Sequence, residues 1–166
     1  ALHGVYHNIR FRDTTVLWGD VRYTLPRWFR ERFSARYLHA PLFEWRDDSL
    51  ARETLYTPPG QLAGLAVAAP ERAALEMLYE AGTRESLEES RLVLEGMLGP
   101  RLSVLGPLLE CCTSVKAVRL FLAWSRESGL VDVEALLHQF RPRVGSESRW
   151  TGRMKDGTSL TLRPYG

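Results

Sequence analysis

Cysteine is scarce in this chain, and the two it has, Cys111 and Cys112, are neighbours. Adjacent thiols suit neither a relaxed disulfide nor a pair of metal ligands, so at least one of them should be a small buried apolar residue on a helix. So few thiols fit a reducing compartment, the cytoplasm. Apolar runs near the roughly 20 residues that cross a bilayer are missing, which makes a water-soluble chain without a membrane partner the expectation. Lysine is scarce too: Lys116 and Lys155 are the only two among 22 basic residues. A general preference for arginine produces the same picture, so arginine density alone identifies no polyanion site. No initiator methionine stands at the front, and Ala1-Leu2-His3-Gly4 reads as a last helical turn closed by glycine. The chain is therefore expected to be part of a longer protein, and no charged stretch followed by an apolar run points to export of this piece.

Catalytic signatures are absent as well. There is no GxSxG elbow, no P-loop and no dinucleotide fingerprint, and the glycines stand singly at turns and helix ends. His3 and His7 have i, i+4 spacing, but Gly4 and the strand-like run from Val5 argue against a shared helical face; His39 and His138 are isolated. No metal and no cofactor are expected. The acidic pairs Glu88-Glu89 and Asp47-Asp48, the latter with Glu53, could in principle hold magnesium for a nuclease. Neighbours on a helix point in different directions, and solvated charges are the simpler reading. The chain is expected not to be an enzyme, with a magnesium-dependent nuclease as the least favoured alternative.

What is present is ordinary in amount and uneven in place. At 166 residues, with 45% hydrophobic and 25% charged side chains, the chain fits one domain, long enough to bury roughly two thirds of its unfolded surface. The net charge of +2 hides an asymmetry. Arg10, Arg12, Arg22, Arg27, Arg30, Arg32 and Arg36 stand against Asp13, Asp20 and Glu31, whereas residues 71–95 carry Glu71, Glu76, Glu80, Glu85, Glu88, Glu89 and Glu95 against Arg72, Arg84 and Arg91. Such a distribution can steer a partner toward one face.

The local signals alternate. Residues 5–11 and 14–18 read as strands joined at Arg12-Asp13, a plausible hairpin. Thr24 is expected to cap a helix over 26–33 with Pro26 in its first turn, followed by strands over 36–39 and 53–57. After Pro58-Pro59-Gly60, residues 65–68 read as a short buried strand leading into a helix that starts at Pro70 and ends at Gly82, with Leu75, Leu78 and Tyr79 on one face. Ser86 and Glu89 form a capping box for a helix running to Gly99-Pro100. Within 102–112, Gly106 is expected to cap a helix whose first residue is Pro107. Ser114 caps a helix that Gly129 stops, and Asp132 caps a shorter one. Residues 149–154 and 159–162 alternate around Asp156-Gly157, a hairpin expected to rejoin the sheet. The expected class is α+β, a mixed or antiparallel sheet packed against four or five helices.

The candidate nucleic-acid contacts are Arg10, Arg12, Arg27, Arg30 and Arg32. The last three alternate with Trp28, Phe29 and Phe33, so the arginines could meet phosphates while exposed aromatics stack on bases. The competing expectation is an amphipathic helix whose aromatics face the core.

Ala69-Pro70-Glu71-Arg72-Ala73-Ala74-Leu75-Glu76-Met77-Leu78 resembles the AbiEi family, the antitoxin and transcriptional-regulator component of type IV toxin–antitoxin systems. The likeness continues through Glu85-Ser86-Leu87-Glu88-Glu89, Leu94-Glu95-Gly96-Met97-Leu98 and the stretch from Leu108 to Leu122, and Ala1-Leu2-His3-Gly4 is similar to the phrase that precedes the family's antitoxin domain. It departs at Gly145-Ser146-Glu147-Ser148-Arg149, where the family tends to be lysine- and arginine-rich; Glu147 weakens a polyanion role for that loop. The resemblance implies an N-terminal winged helix-turn-helix that binds the operon's promoter, expected to lie upstream of this chain. It also implies a C-terminal antitoxin domain, which this chain resembles, countering a nucleotidyltransferase-like toxin without needing a stable complex.

Overall fold

A computed structural model describes residues 14–46, 48–59 and 66–164. Contacts divide the chain into two compact units, one spanning Asn8–Leu42 and one built mainly from Phe43–Gly166. Among the described residues there are seven helices and three separate two-stranded pairs. The class is α+β, with its strand content divided among these pairs.

The smaller unit consists of β1 (Thr15–Gly19), α1 (Arg27–Arg32) and β2 (Ala35–His39). β1 and β2 are parallel, in register from Thr15 opposite Ala35 to Gly19 opposite His39. A parallel pair cannot be closed by a tight turn, and α1 lies in the crossover. The hairpin expected at Arg12-Asp13 lies outside the described residues. Thr24 does not cap α1. Pro26 does, in extended conformation and without a side-chain hydrogen bond; its carbonyl accepts from the N–H groups of Phe29 and Arg30, which places proline just before the first turn.

The larger unit contains α2 (Asp48–Glu53), β3 (Leu55–Tyr56), β4 (Val67–Ala68), α3 (Pro70–Glu80), α4 (Leu87–Glu95), α5 (Leu102–Cys111), α6 (Val115–Ser128), α7 (Val133–Gln139), β5 (Trp150–Arg153) and β6 (Ser159–Leu162). Its core is a leucine-rich layer in which Leu75 and Leu78 of α3, Leu94 of α4, Leu105, Leu108 and Leu109 of α5, and Phe121 and Leu122 of α6 are fully buried. Each such side chain contributes roughly 1.5–3 kcal/mol. α6 is the central element, packed against α3, α4, α7 and β6.

Several helix ends follow the local signals. Pro70 opens α3 and Gly82 follows it at a positive φ of 76°. Ser86, Ser114 and Asp132 each accept from the backbone N–H three residues on, and Gly129 closes α6 in the left-handed region. Four expectations need correction. α4 stops at Glu95, with Gly96 as its cap, because the N–H of Met97 turns back to the carbonyl of Leu94. Glu53 closes α2 instead of starting a strand, since the hydroxyl of buried Thr54 donates to the carbonyls of Leu50 and Ala51. Gly106 caps nothing: α5 runs unbroken through Pro107. A proline disfavours helix at the preceding residue largely through a clash with its Cβ, which Gly106 lacks. A Cβ there would also lie 2.4–2.5 Å from ring atoms of Phe140. Finally, β5 and β6 form their own antiparallel hairpin and rejoin no larger sheet. Met154 is the hairpin's anchor, buried with its sulfur against Gly82, while the N–H of Lys155 donates to the carbonyl of Gly82 at 2.9 Å.

Glu71 does more than complement the start of α3. Its carboxylate is buried and accepts from the backbone N, Nε and Nη2 of Arg101 at 2.9–3.0 Å. Burial pushes its pKa upward, but the hydrogen bonds and charge of Arg101 outweigh this and hold it below the ordinary 4.5. A depressed carboxylate means that the unfolded chain binds more protons, so the stabilisation is complete above pH 4.5 and lost as pH falls through the folded value. The expected result is that Glu71→Gln lowers the urea midpoint at pH 7 and that its gap to wild type narrows steadily toward pH 3. A gap independent of pH would show that the charge of Glu71 does not matter.

Candidate nucleic-acid interface

α1 is held by the strand that follows it. The Tyr37 hydroxyl of β2 donates to the carbonyl of Val21, His39 Nε2 lies 3.0 Å from the carbonyl oxygen of Asp20, and the N–H of Ala40 donates to the carbonyl of Gly19. Gly19 permits this arrangement, because a Cβ there would collide with the Tyr37 ring. Tyr23 packs edge-on against Tyr37 at 5.7 Å. The segment entering α1 is thus pinned at three carbonyls.

No residue of α1 is buried. Trp28 is 64% exposed, Tyr23 58% and Phe33 47%. The expectation that the aromatics of this helix face the core is therefore wrong for Trp28 and Phe33; only Phe29 is half-buried, bracketed by Trp28 at 5.6 Å and Phe33 at 4.9 Å. Six residues give fewer than two turns, too short to present a wide apolar stripe to a core. Arg27, Arg30 and Arg32 are exposed. Arg27 pairs with Glu31 at 2.6 Å, and the Arg32 guanidinium lies 6.0 Å from the centre of the Phe33 ring. Arg10 and Arg12, the other two candidate contacts, lie outside the described residues.

The acidic candidates do not converge. Asp47 is outside the described residues, and Asp48 and Glu53 occupy opposite ends of α2. Glu88 and Glu89 sit in the first turn of α4. Among the described residues, no group of three His, Cys, Asp or Glu side chains could hold a metal ion. Both cysteines are free and buried. Burial pushes their thiols up to about 11 and about 12, so the nucleophilic thiolate is suppressed. The acidic middle is also less of a surface than composition suggests. Glu71, Glu76 and Glu80 are buried, bound to Arg101, Arg72 and Arg84. A groove of about 640 Å³ between the start of α4 and the β5–β6 turn carries mixed charge, Arg84 and Lys155 against Glu85, Glu88 and Asp156.

Sequence reasoning missed two buried cations, Lys116 and Arg119 of α6. The signal was present for Arg119, which stands four residues after Val115 and three before Leu122, on the apolar face of the helix.

Compared with known families, residues 12–161 match the family described as transcriptional regulator, AbiEi antitoxin, type IV toxin–antitoxin system. No curated protein and no solved structure matches the chain.

Proposed function

The chain belongs to the AbiEi antitoxin family of type IV toxin–antitoxin transcriptional regulators, and from that premise we propose that it is a non-enzymatic cytoplasmic antitoxin domain that opposes a nucleotidyltransferase-like toxin. It need not form a stable complex with that toxin. It supports promoter binding by a winged helix-turn-helix belonging to the same full-length protein, through phosphate contacts from Arg27, Arg30 and Arg32, joined by Arg10 and Arg12. The observation that carries this part is the solvent-facing position of every arginine on α1, since phosphate contacts need cations that a core-facing helix would not supply.

Two measurements test the proposal. Coexpression with a neighbouring nucleotidyltransferase is expected to relieve the growth arrest it causes; persistent arrest removes the antitoxin assignment. For DNA, affinity for the operon's own duplex promoter should fall with salt, and Arg27→Ala/Arg30→Ala/Arg32→Ala should reduce the slope of log K against log salt by up to about 3, nearly one unit for each phosphate no longer neutralised. An unchanged slope removes α1 from the interface. Duplex binding without rescue from arrest would favour the second reading, a nucleic-acid-binding domain without antitoxin action, which the exposed aromatics of α1 also support.

A further inference from the structure

Phosphate contacts explain exposed arginines, but they leave the exposed rings unexplained. Solvent-facing tryptophan is unfavourable, and a cluster of exposed rings on a small unit marks a surface with a partner. Trp28 and Arg32 stand at i, i+4, one above the other on the same face of α1. Arg22, Arg30 and Arg32 make no ion pair among the described residues, and the acids of this unit's described part are only Asp20 and Glu31, the second already tied to Arg27. The surface is cationic and aromatic at once, and the contacts of Tyr37 and His39 fix its entering segment before any partner arrives.

We propose that the α1 surface binds single-stranded nucleic acid, with the ring of Trp28 stacking on an unpaired base and Arg32, one turn on along the same face, neutralising an adjoining phosphate. A duplex offers its phosphates to the arginines but keeps its base faces covered, whereas a single strand satisfies both halves of the patch. Trp28 is the main platform, because Arg32 already lies over the Phe33 ring. Stacking is indifferent to sequence and to the sugar, so selectivity is for strandedness. The proposal rests on the reading of α1 as a polyanion-facing surface and is independent of antitoxin action.

The test is fluorescence anisotropy of the chain with a labelled 20-nucleotide single strand, as DNA and as RNA, and with the corresponding duplex, all at one ionic strength. The expected result is tighter binding to the single strand, with DNA and RNA within a few-fold. Trp28→Ala should weaken single-strand binding roughly 10-fold, within the range for one stacked base, and leave duplex binding within about twofold. Trp28→Tyr should restore most of the loss, which a general folding defect would not allow, and unchanged far-UV circular dichroism of each variant excludes that defect directly. Equal affinity for the single strand and the duplex, or loss of both in Trp28→Ala, overturns the proposal while leaving phosphate binding by α1 standing. Binding to neither nucleic acid overturns it in favour of an acidic protein partner. Single-strand selectivity in a chain that fails to relieve growth arrest keeps this proposal and removes the antitoxin assignment.

Discussion

Replacing Arg119 with methionine is expected to destabilise the chain by about 3–5 kcal/mol, because several backbone carbonyls lose one charged donor at once, and to lower Tm by roughly 10 °C. Arg119 is 2% exposed. Its guanidinium donates to backbone carbonyls: Nε to Val144 at 2.7 Å, Nη2 to Ser146 at 2.6 Å, and Nη1 to Ser148 at 2.9 Å. Two longer hydrogen bonds at 3.4 Å reach Leu162 and Arg163. The planar fork of donors gathers the segment leading into β5 and the end of β6 onto α6. Methionine preserves much of the stem's volume but leaves these part-buried carbonyls without their charged donor, and a hydrogen bond to a charged group contributes about 1.5–3 kcal/mol. Arg119→Lys should recover only part of the loss, because one ammonium cannot reproduce the geometry of the fork. Hydrogen exchange gives the local readout, with protection in β5 and β6 expected to fall further than in α3. A destabilisation under about 1 kcal/mol, or an equal fall in protection in both regions, would contradict this account.

The second large effect is expected at Lys116, three residues earlier on α6. Its ammonium donates to the carbonyls of Tyr79 at 2.6 Å and Ala81 at 2.9 Å, at the C-terminal end of α3. α3 has no basic residue in its own last turn. Lys116 therefore supplies, from another helix, the cation that the negative end of α3 favours and the donor that its open carbonyls need. Lys116→Met should cost about 2–4 kcal/mol, less than the arginine because fewer acceptors are orphaned. The dependence on pH provides a separate check. Burial lowers the pKa of Lys116 below the usual 10.5, and nearby Glu80 opposes the shift only in part. In the window below 10.5 the unfolded chain binds more protons than the folded one, so wild-type stability gains as pH rises through it. The variant has no such gain, and the difference between the two should widen toward pH 10.5. A constant difference would mean that burial does not disfavour the charged form of Lys116.

These two cations also mark where reading the sequence stops. Serine and aspartate caps, proline at the start of α3 and glycine after α3 and α6 were all legible, because each acts within one turn of its own helix. The β5–β6 hairpin was legible for the same reason, with Asp156-Gly157 at its turn. Gly106-Pro107 misled, because the reason for glycine there is the ring of Phe140, supplied by a distant part of the chain. In the candidate interface, the residue types were legible and their exposure was not. A helix of six residues can turn its aromatics either way, and only the arrangement around it decides.

By itself, the sequence determined the α+β class, most of the helix starts in the larger unit and the likeness to the AbiEi family, since these depend on capping chemistry, periodicity and short phrases of residues. Tertiary structure decided that β1 pairs with β2 and β3 with β4, which glutamates leave the surface, and that Lys116 and Arg119 serve the interior as donors to carbonyls 25 to 44 residues away. The physical reason is range: a cap or a turn is satisfied by its neighbours, whereas a buried charge is tolerable only where remote backbone is brought to meet it.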